Sequence, residues 1–185
     1  MKPLLKFEGV TLRRGGRLLF EGLDLTLGPG EALHLTGPNG SGKSSLIRLA
    51  AGLLRADAGR VEQSPLALAD EKLALDRELS LKRALAFWSR GNGLDAALDA
   101  LGLSALAGVP VRLLSSGQAR RASIARVAAS SASLWLLDEP FNGLDRDGAE
   151  RLERLIAAHR DRGGAVLAAS HGSLGEGWAS LELGR

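Results

Sequence analysis

The chain has 185 residues, a formal net charge of +3 and no cysteine. That length is enough for a single domain with a sizeable core. The missing cysteine excludes disulfides and thiol chemistry, and permits a reducing cytoplasm without requiring one. No apolar run approaches the roughly 20 residues that span a bilayer, and Met1-Lys2-Pro3 opens straight into a strand pattern, so no signal peptide is expected.

In chain order, residues 4–12 and 23–27 alternate in places and predict strands of an N-terminal antiparallel sheet. Residues 32–36, Ala-Leu-His-Leu-Thr, are mostly apolar and suit a buried strand. Residues 44–51 read as a helix with Leu46, Ile47, Leu49 and Ala50 on its apolar face. Asp57-Ala58-Gly59-Arg60 reads as a turn before another strand. From about Ser80 to Leu106 the spacing of Leu81, Leu85, Phe87, Trp88, Leu94, Leu98 and Leu101 is helical. Aromatic residues at that spacing read first as core, with an exposed docking surface as the alternative for Phe87 and Trp88. Residues 134–137 are a continuous apolar strand, 148–160 a helix facing inward through Leu152, Leu155 and Ile156, and 165–169 a further strand. There is no internal repeat and no low-complexity linker.

Between the strand at 32–36 and its helix lies Gly37-Pro38-Asn39-Gly40-Ser41-Gly42-Lys43-Ser44-Ser45, which meets the pattern G-x-x-x-x-G-K-[ST]. Glycines let backbone N–H groups turn onto phosphate oxygens where a side chain would block approach. The helix start adds partial positive charge. Lys43 is expected on the β- and γ-phosphates and Ser44 on Mg²⁺. The alternative, a glycine turn that matches by chance, does not account for the flanking strand and helix.

The strand at 134–137 ends in Asp138-Glu139-Pro140. Ligands gather at the carboxyl ends of strands in open parallel sheets, and adjacent carboxylates there are costly unless they meet a cation or a reacting water. Asp138 is therefore expected to hold Mg²⁺, and Glu139 to orient and deprotonate an attacking water. A solvated strand-end turn is the plainer reading of the two carboxylates taken alone.

Leu114-Ser115-Ser116-Gly117-Gln118 resembles the signature of the ATP-binding-cassette (ABC) ATPases, usually Leu-Ser-Gly-Gly-Gln, with Ser116 at the third position. Ala119-Arg120-Arg121-Ala122-Ser123-Ile124-Ala125-Arg126 looks like the basic amphipathic helix start that follows it in the family. Asn142-Gly143-Leu144-Asp145 resembles the D-loop, and His171 resembles the switch histidine. The elements occur in the family's order and cover almost the whole chain. The resemblance implies an α/β P-loop NTPase fold of the ABC type. Its core is a mixed, mainly parallel sheet, with an N-terminal antiparallel β part and an inserted α-helical subdomain at about 70–130, all within one ABC ATPase domain, 1–185. It implies an ATPase that binds ATP through Gly37 to Ser45, with Lys43, Glu139 and His171 in catalysis and Mg²⁺ on Ser44 and Asp138. It also implies a dimer of two copies, in which Ser115 and the Gly117 N–H of one copy cap the γ-phosphate held by the other, with Gln118 and Asp145 among the nucleotide-binding residues. For Ser115 the alternative is a simple helix cap, and for His171 a surface histidine.

The chain departs from the family in two places. Arg13-Arg14-Gly15-Gly16 stands where an adenine-stacking aromatic is usual, and the chain has no tyrosine. Arg14 is a candidate to stack through its guanidinium plane; base preference stays open. Lys72, in Asp70-Glu71-Lys72-Leu73, stands where the family has a glutamine that touches Mg²⁺ and relays to the membrane partner.

A narrower resemblance runs through Arg17-Leu18-Leu19-Phe20-Glu21-Gly22-Leu23, the stretch from Ala50 to Gly59, Glu78-Leu79-Ser80, Ala86-Phe87-Trp88 and the stretch from Leu136 to Asp145. Together these are similar to the ATPase branch that serves haem export in bacterial cytochrome c maturation. That resemblance implies separate transmembrane permease subunits and a peripheral place on the cytoplasmic face of the inner membrane. Two other readings remain: a soluble cassette ATPase acting on nucleic acid or ribosomes, and a low-turnover nucleotide-gated interaction module. The basic pI of about 9.8 gives the nucleic-acid reading some support. The arginines form no dense tract, however, and the chain has neither a second cassette nor long insertions, so no nucleic acid is expected.

Overall fold

The computed structural model describes residues 2–89, 93–172 and 174–184. The chain divides into two compact units. One comprises Met1–Leu68, Ala132–Glu139 and His159–Arg185; the other comprises Ala69–Ser131 and Pro140–Ala158. No helix among the described residues is long and apolar enough to cross a membrane.

In the first unit, β1 (Leu5–Arg14), β2 (Arg17–Leu27) and β4 (Ala58–Gln63) form an antiparallel sheet in the order β2-β1-β4. The second strand starts earlier than the expected residue 23, because β1 and β2 close as a tight hairpin. Arg14 pairs with Arg17, and Gly15 and Gly16 between them have φ of 57° and 76°. A two-residue loop that follows the strand twist requires positive φ at both positions, which glycine takes without a steric penalty. The register shifts along the hairpin are held by side chains: Gly22 N donates to Thr11 Oγ1 (3.1 Å) and Gly9 N to Asp24 Oδ1 (2.7 Å).

A second sheet runs β5 (Leu66–Ala69), β6 (Leu134–Asp138), β7 (Ala165–Ala169), β3 (Ala32–Thr36), β8 (Ala179–Glu182). β6, β7, β3 and β8 are mutually parallel. β6 and β7 are buried at every position, as parallel strands covered on both faces are. Leu33, Leu167 and Leu136 share one row across three strands. Each is buried, and burying a leucine contributes about 1.5–3 kcal/mol. Helix α1 (Lys43–Ala50) packs on β6 and β7 through the face expected for it; Leu46, Ile47, Leu49 and Ala50 are all buried in the core. The short strands β5 and β8 have no counterpart among the sequence expectations.

The second unit is helical: α2 (Leu81–Ala86), α3 (Gly93–Ala100), α4 (Ser116–Ala129), and α5 (Arg146–Asp161) as far as Ala158. α2, α3 and α4 pack on one another, burying Leu81, Leu85, Leu98, Leu101 and Ile124 among others. Short 3-10 turns at Ser104–Leu106 and Val111–Leu113 connect them to the signature segment. Residues 90–92 of the expected helical stretch lie outside the described residues.

Two expectations are corrected here. Phe87 is not core: it caps the C-terminus of α2 and is 84% exposed, since the helix ends before its ring can turn inward. Trp88 is part-exposed, meets Phe87 edge-on at 5.3 Å, and carries the Arg126 guanidinium over its ring at 4.8 Å. Nor is α4 amphipathic, because burial is unbroken from Ala122 to Val127. The alanines there let neighbouring helices approach on several sides, and even Arg126 is enclosed. Burial lowers the pKa of Arg126, and the charge of Asp70 opposes that shift.

Candidate nucleotide site

The loop from Gly37 to Gly42 leaves the end of β3 and enters α1. A Cβ on Gly37, at φ 129°, would stand 2.3 Å from the Leu183 carbonyl oxygen, so only glycine fits there. Gly42 is the N-cap of α1 in the left-handed region, φ 107°, and offers no side chain to cap the helix. The first turn of α1 contains no acidic residue. Its leading N–H groups are thus left to an external acceptor, which is the arrangement that takes an anion. Ser41 Oγ is buried without a hydrogen-bond partner. Lys43 is buried and arches back over the loop, its Nζ donating to the carbonyls of Gly37 (2.6 Å) and Pro38 (3.1 Å). Ser45 is buried and Ser44 half-buried in the first helical turn, while Asn39 and Gly40 are exposed at the tip. The donor set and the glycine cradle fit a polyphosphate.

Three strand ends line up at one edge of the parallel sheet. Leu35 pairs with Ala169, and Ala169 with Asp138. At about 4.8 Å per strand, Asp138 lies roughly 10 Å along the row from Leu35, just before the phosphate loop. Asp138 is 4% exposed. Glu139 then breaks the strand: its φ is 51°, a left-handed conformation that costs a non-glycine residue about 1–3 kcal/mol and persists only where the surroundings impose it. Its N–H donates to the Ala169 carbonyl (2.9 Å), and its Oε1 lies 3.4 Å from His171 Nε2. His171 is half-exposed and Glu139 mostly enclosed. The loop, Asp138, Glu139 and His171 therefore belong to one unit and one sheet edge.

His34 and Ser170 support that edge, and sequence reasoning passed over both. His34 is buried within β3 and its Nε2 donates to the Ser170 carbonyl (3.1 Å); Ser170 Oγ accepts from Gly172 N (3.2 Å). Together they fix the turn that presents His171. A histidine inside an apolar strand was the only available signal.

The signature residues lie in the second unit. Ser115 is the N-cap of α4; its Oγ accepts from Gln118 N (3.2 Å), and Gln118 Oε1 accepts from Ser115 N (2.9 Å), a reciprocal capping box. A Cβ on Gly117 would meet the Gly143 carbonyl oxygen at 3.0 Å, so the glycine permits close approach of the 140–145 turn. Asp145 begins α5: its Oδ1 accepts from Gly148 N (2.8 Å). Lys72 is exposed; its N–H donates to Asp70 Oδ1 (3.0 Å), and the Asp70 carbonyl accepts from Arg120 Nη1 (2.8 Å).

Comparison with known proteins places these features in context. The family model for the ABC transporter domain matches residues 20–142. The cytochrome c biogenesis ATP-binding export protein CcmA of Sphingopyxis alaskensis is 56% identical over 180 residues, covering 94% of this chain and 93% of its own length. The protein of the same name from Zymomonas mobilis is 48% identical over 175 residues, covering 92% and 79%. Among solved structures, an ATP-binding subunit of an ABC transporter superposes with a TM-score of 0.84 at 22% identity, covering 91% of this chain and 79% of that one. CbiO1 of Clostridium perfringens, part of the ABC transporter complex cbiONQ, gives 0.76 at 24%, covering 93% and 80%. At such identities the structures speak for the fold.

Proposed function

The chain belongs to the ABC transporter family and is an ATP-binding, ATP-hydrolysing member of it, and from that premise we propose that it drives an export step of cytochrome c biogenesis, with haem as the cargo. It works as a dimer of two copies on the cytoplasmic face of the inner membrane, against separate transmembrane permease subunits. The observation that carries the cytochrome c reading is 56% identity to a curated export protein across nearly the full length of both chains. The single sheet edge that gathers the phosphate loop, Asp138, Glu139 and His171 supports the chemistry.

In the mechanism we assign, the N–H groups of residues 40–45 and the Lys43 ammonium hold the β- and γ-phosphates. Lys43 leaves the carbonyls of Gly37 and Pro38 to do so. Ser44 and Asp138 are the residues that would hold Mg²⁺, which when bound offsets phosphate charge. Glu139 accepts a proton from the water that attacks the γ-phosphorus; the bond from that phosphorus to the bridging oxygen breaks, giving ADP and phosphate. His171, already beside Glu139, orients that water. Ser115 and the Gly117 N–H of a second copy close on the γ-phosphate, so ATP joins two copies and hydrolysis separates them.

The test is a pull-down from native membranes with tagged Glu139→Gln protein, ATP and Mg²⁺. Recovery of small integral membrane proteins of cytochrome c maturation is expected. Recovery of ribosomes or nucleic acid would overturn the export reading while leaving the ATP site intact.

A further inference from the structure

The tip of the β1–β2 hairpin holds three arginines, Arg13, Arg14 and Arg17, around two glycines, and no aromatic residue. Its position is fixed: Arg13 N donates to Asp57 Oδ2, and the Arg14–Arg17 pair closes the turn. From there two exposed guanidinium groups reach the phosphate loop. Arg14 Nη1 donates to Ser45 Oγ (3.4 Å), in the first turn of α1. Arg17 Nη1 lies 4.0 Å from where a Cβ on Gly40 would stand, over the loop's exposed tip. Beneath the loop, the same strand packs Leu19 and Phe20 against Gly42. Strand β2 therefore supports the loop with apolar side chains and overhangs it with a cation. Among the described residues, no carboxylate forms an ion pair with Arg14 or Arg17, whereas Lys6, Arg60 and Arg146 each have one.

We infer that Arg17 is a second phosphate-binding cation beside Lys43. The inference rests on the ATPase reading and deepens it. A guanidinium placed over the loop tip has the planar donor fork that matches phosphate oxygens. Affinity then resides in the phosphates, so it should weaken steeply with salt.

The experiment is a nucleotide titration of the full chain with Mg²⁺, using fluorescent ATP and GTP analogues displaced by the unlabelled nucleotides, at low and high salt. Arg17→Ala should lose about tenfold for both, equivalent to about 1.4 kcal/mol, with a shallower salt dependence. Arg17→Lys should recover part of the loss, since it keeps the charge without the fork. Unchanged thermal unfolding of both variants keeps the reading independent of folding. An Arg17→Ala protein with wild-type affinity and salt dependence would overturn the inference and leave the ATPase reading standing. A wild type that binds neither nucleotide would overturn both.

Discussion

Two helices of this chain begin at segments that the resemblance directs at γ-phosphates, α1 at the chain's own nucleotide and α4 at that of a second copy, and they begin in opposite ways. Helix α1 starts at a glycine in the left-handed region, with no side-chain cap and no acid in its first turn. Helix α4 starts at Ser115, whose side chain and that of Gln118 satisfy each other's backbone N–H groups. The first start holds its donors ready for an external anion. The second has already spent two of them on itself. A phosphate at α4 would take the Gly117 N–H and the Ser115 O–H, since the hydroxyl can donate outward while its oxygen accepts from Gln118 N. On the proposed reading, one chain binds ATP through α1, and α4 contributes only when a second copy presents its nucleotide.

The comparison can be broken most severely at Lys43. Lys43→Ala is expected to lower ATP affinity about a hundredfold or more, by removing the one buried cation of the loop; equilibrium dialysis with wild-type affinity would remove α1 from the site. Next is Glu139→Gln, expected to cut phosphate release about a hundredfold or more while ATP binding persists and the ATP-bound dimer accumulates. Normal turnover would mean that Glu139 is not the base. Ser115 separates the two helix starts. Ser115→Ala should cost about 1 kcal/mol of stability through the lost cap, seen as a lower unfolding midpoint, with ATP binding by the single chain unchanged. Ser115→Arg should in addition block the ATP-bound dimer, and sedimentation showing undiminished dimer would contradict the assigned role.

The smallest expected effect is a control at the other end of the sheet. His159 stacks on Trp135 with ring centroids 3.8 Å apart, and its Nε2 donates to the Ser133 carbonyl (3.2 Å). Burial pushes its pKa below the ordinary histidine value, more strongly than the hydrogen bond to Ser133 raises it, and Arg162 pushes the same way as burial. The unfolded chain then takes up protons that the folded chain refuses. The stability is full above about pH 6.5 and is lost as pH falls through the depressed folded value. The unfolding midpoint of the wild type should therefore drop further between pH 7.5 and 5.5 than that of His159→Phe, with Lys43-dependent ATP binding untouched at neutral pH. Parallel pH curves for the two proteins would count against the buried neutral imidazole.

How much was legible depended on how local each feature is. The phosphate loop, β3, β6 and β7 announce themselves, because a buried parallel strand is an uninterrupted apolar run and the loop must carry its glycines in order. β5 and β8 did not. Each has four residues, and β8 is mostly exposed. Its strand character comes from pairing with Leu33 to Thr36, far away in sequence. Phe87 misled for a related reason: its spacing fits the helix face, but α2 stops at Ala86. The basic residues of α4 suggested an exposed face, whereas the cation over Trp88 and the charge of Asp70 let Arg126 sit inside. Ser115 and Gln118 were legible as types, but the bond between them, which makes the α4 start self-sufficient, follows from side-chain geometry alone.

The most direct measurement is backbone hydrogen exchange on the Glu139→Gln chain, followed by mass spectrometry, with and without ATP and Mg²⁺, at a dilute concentration that keeps it monomeric and at a high one that dimerises it. The account predicts that a peptide covering residues 37–48 is protected by ATP at both concentrations, and that a peptide covering 113–120 gains ATP-dependent protection only in the dimer. Equal protection of both peptides in the monomer, or none at 37–48, would contradict it.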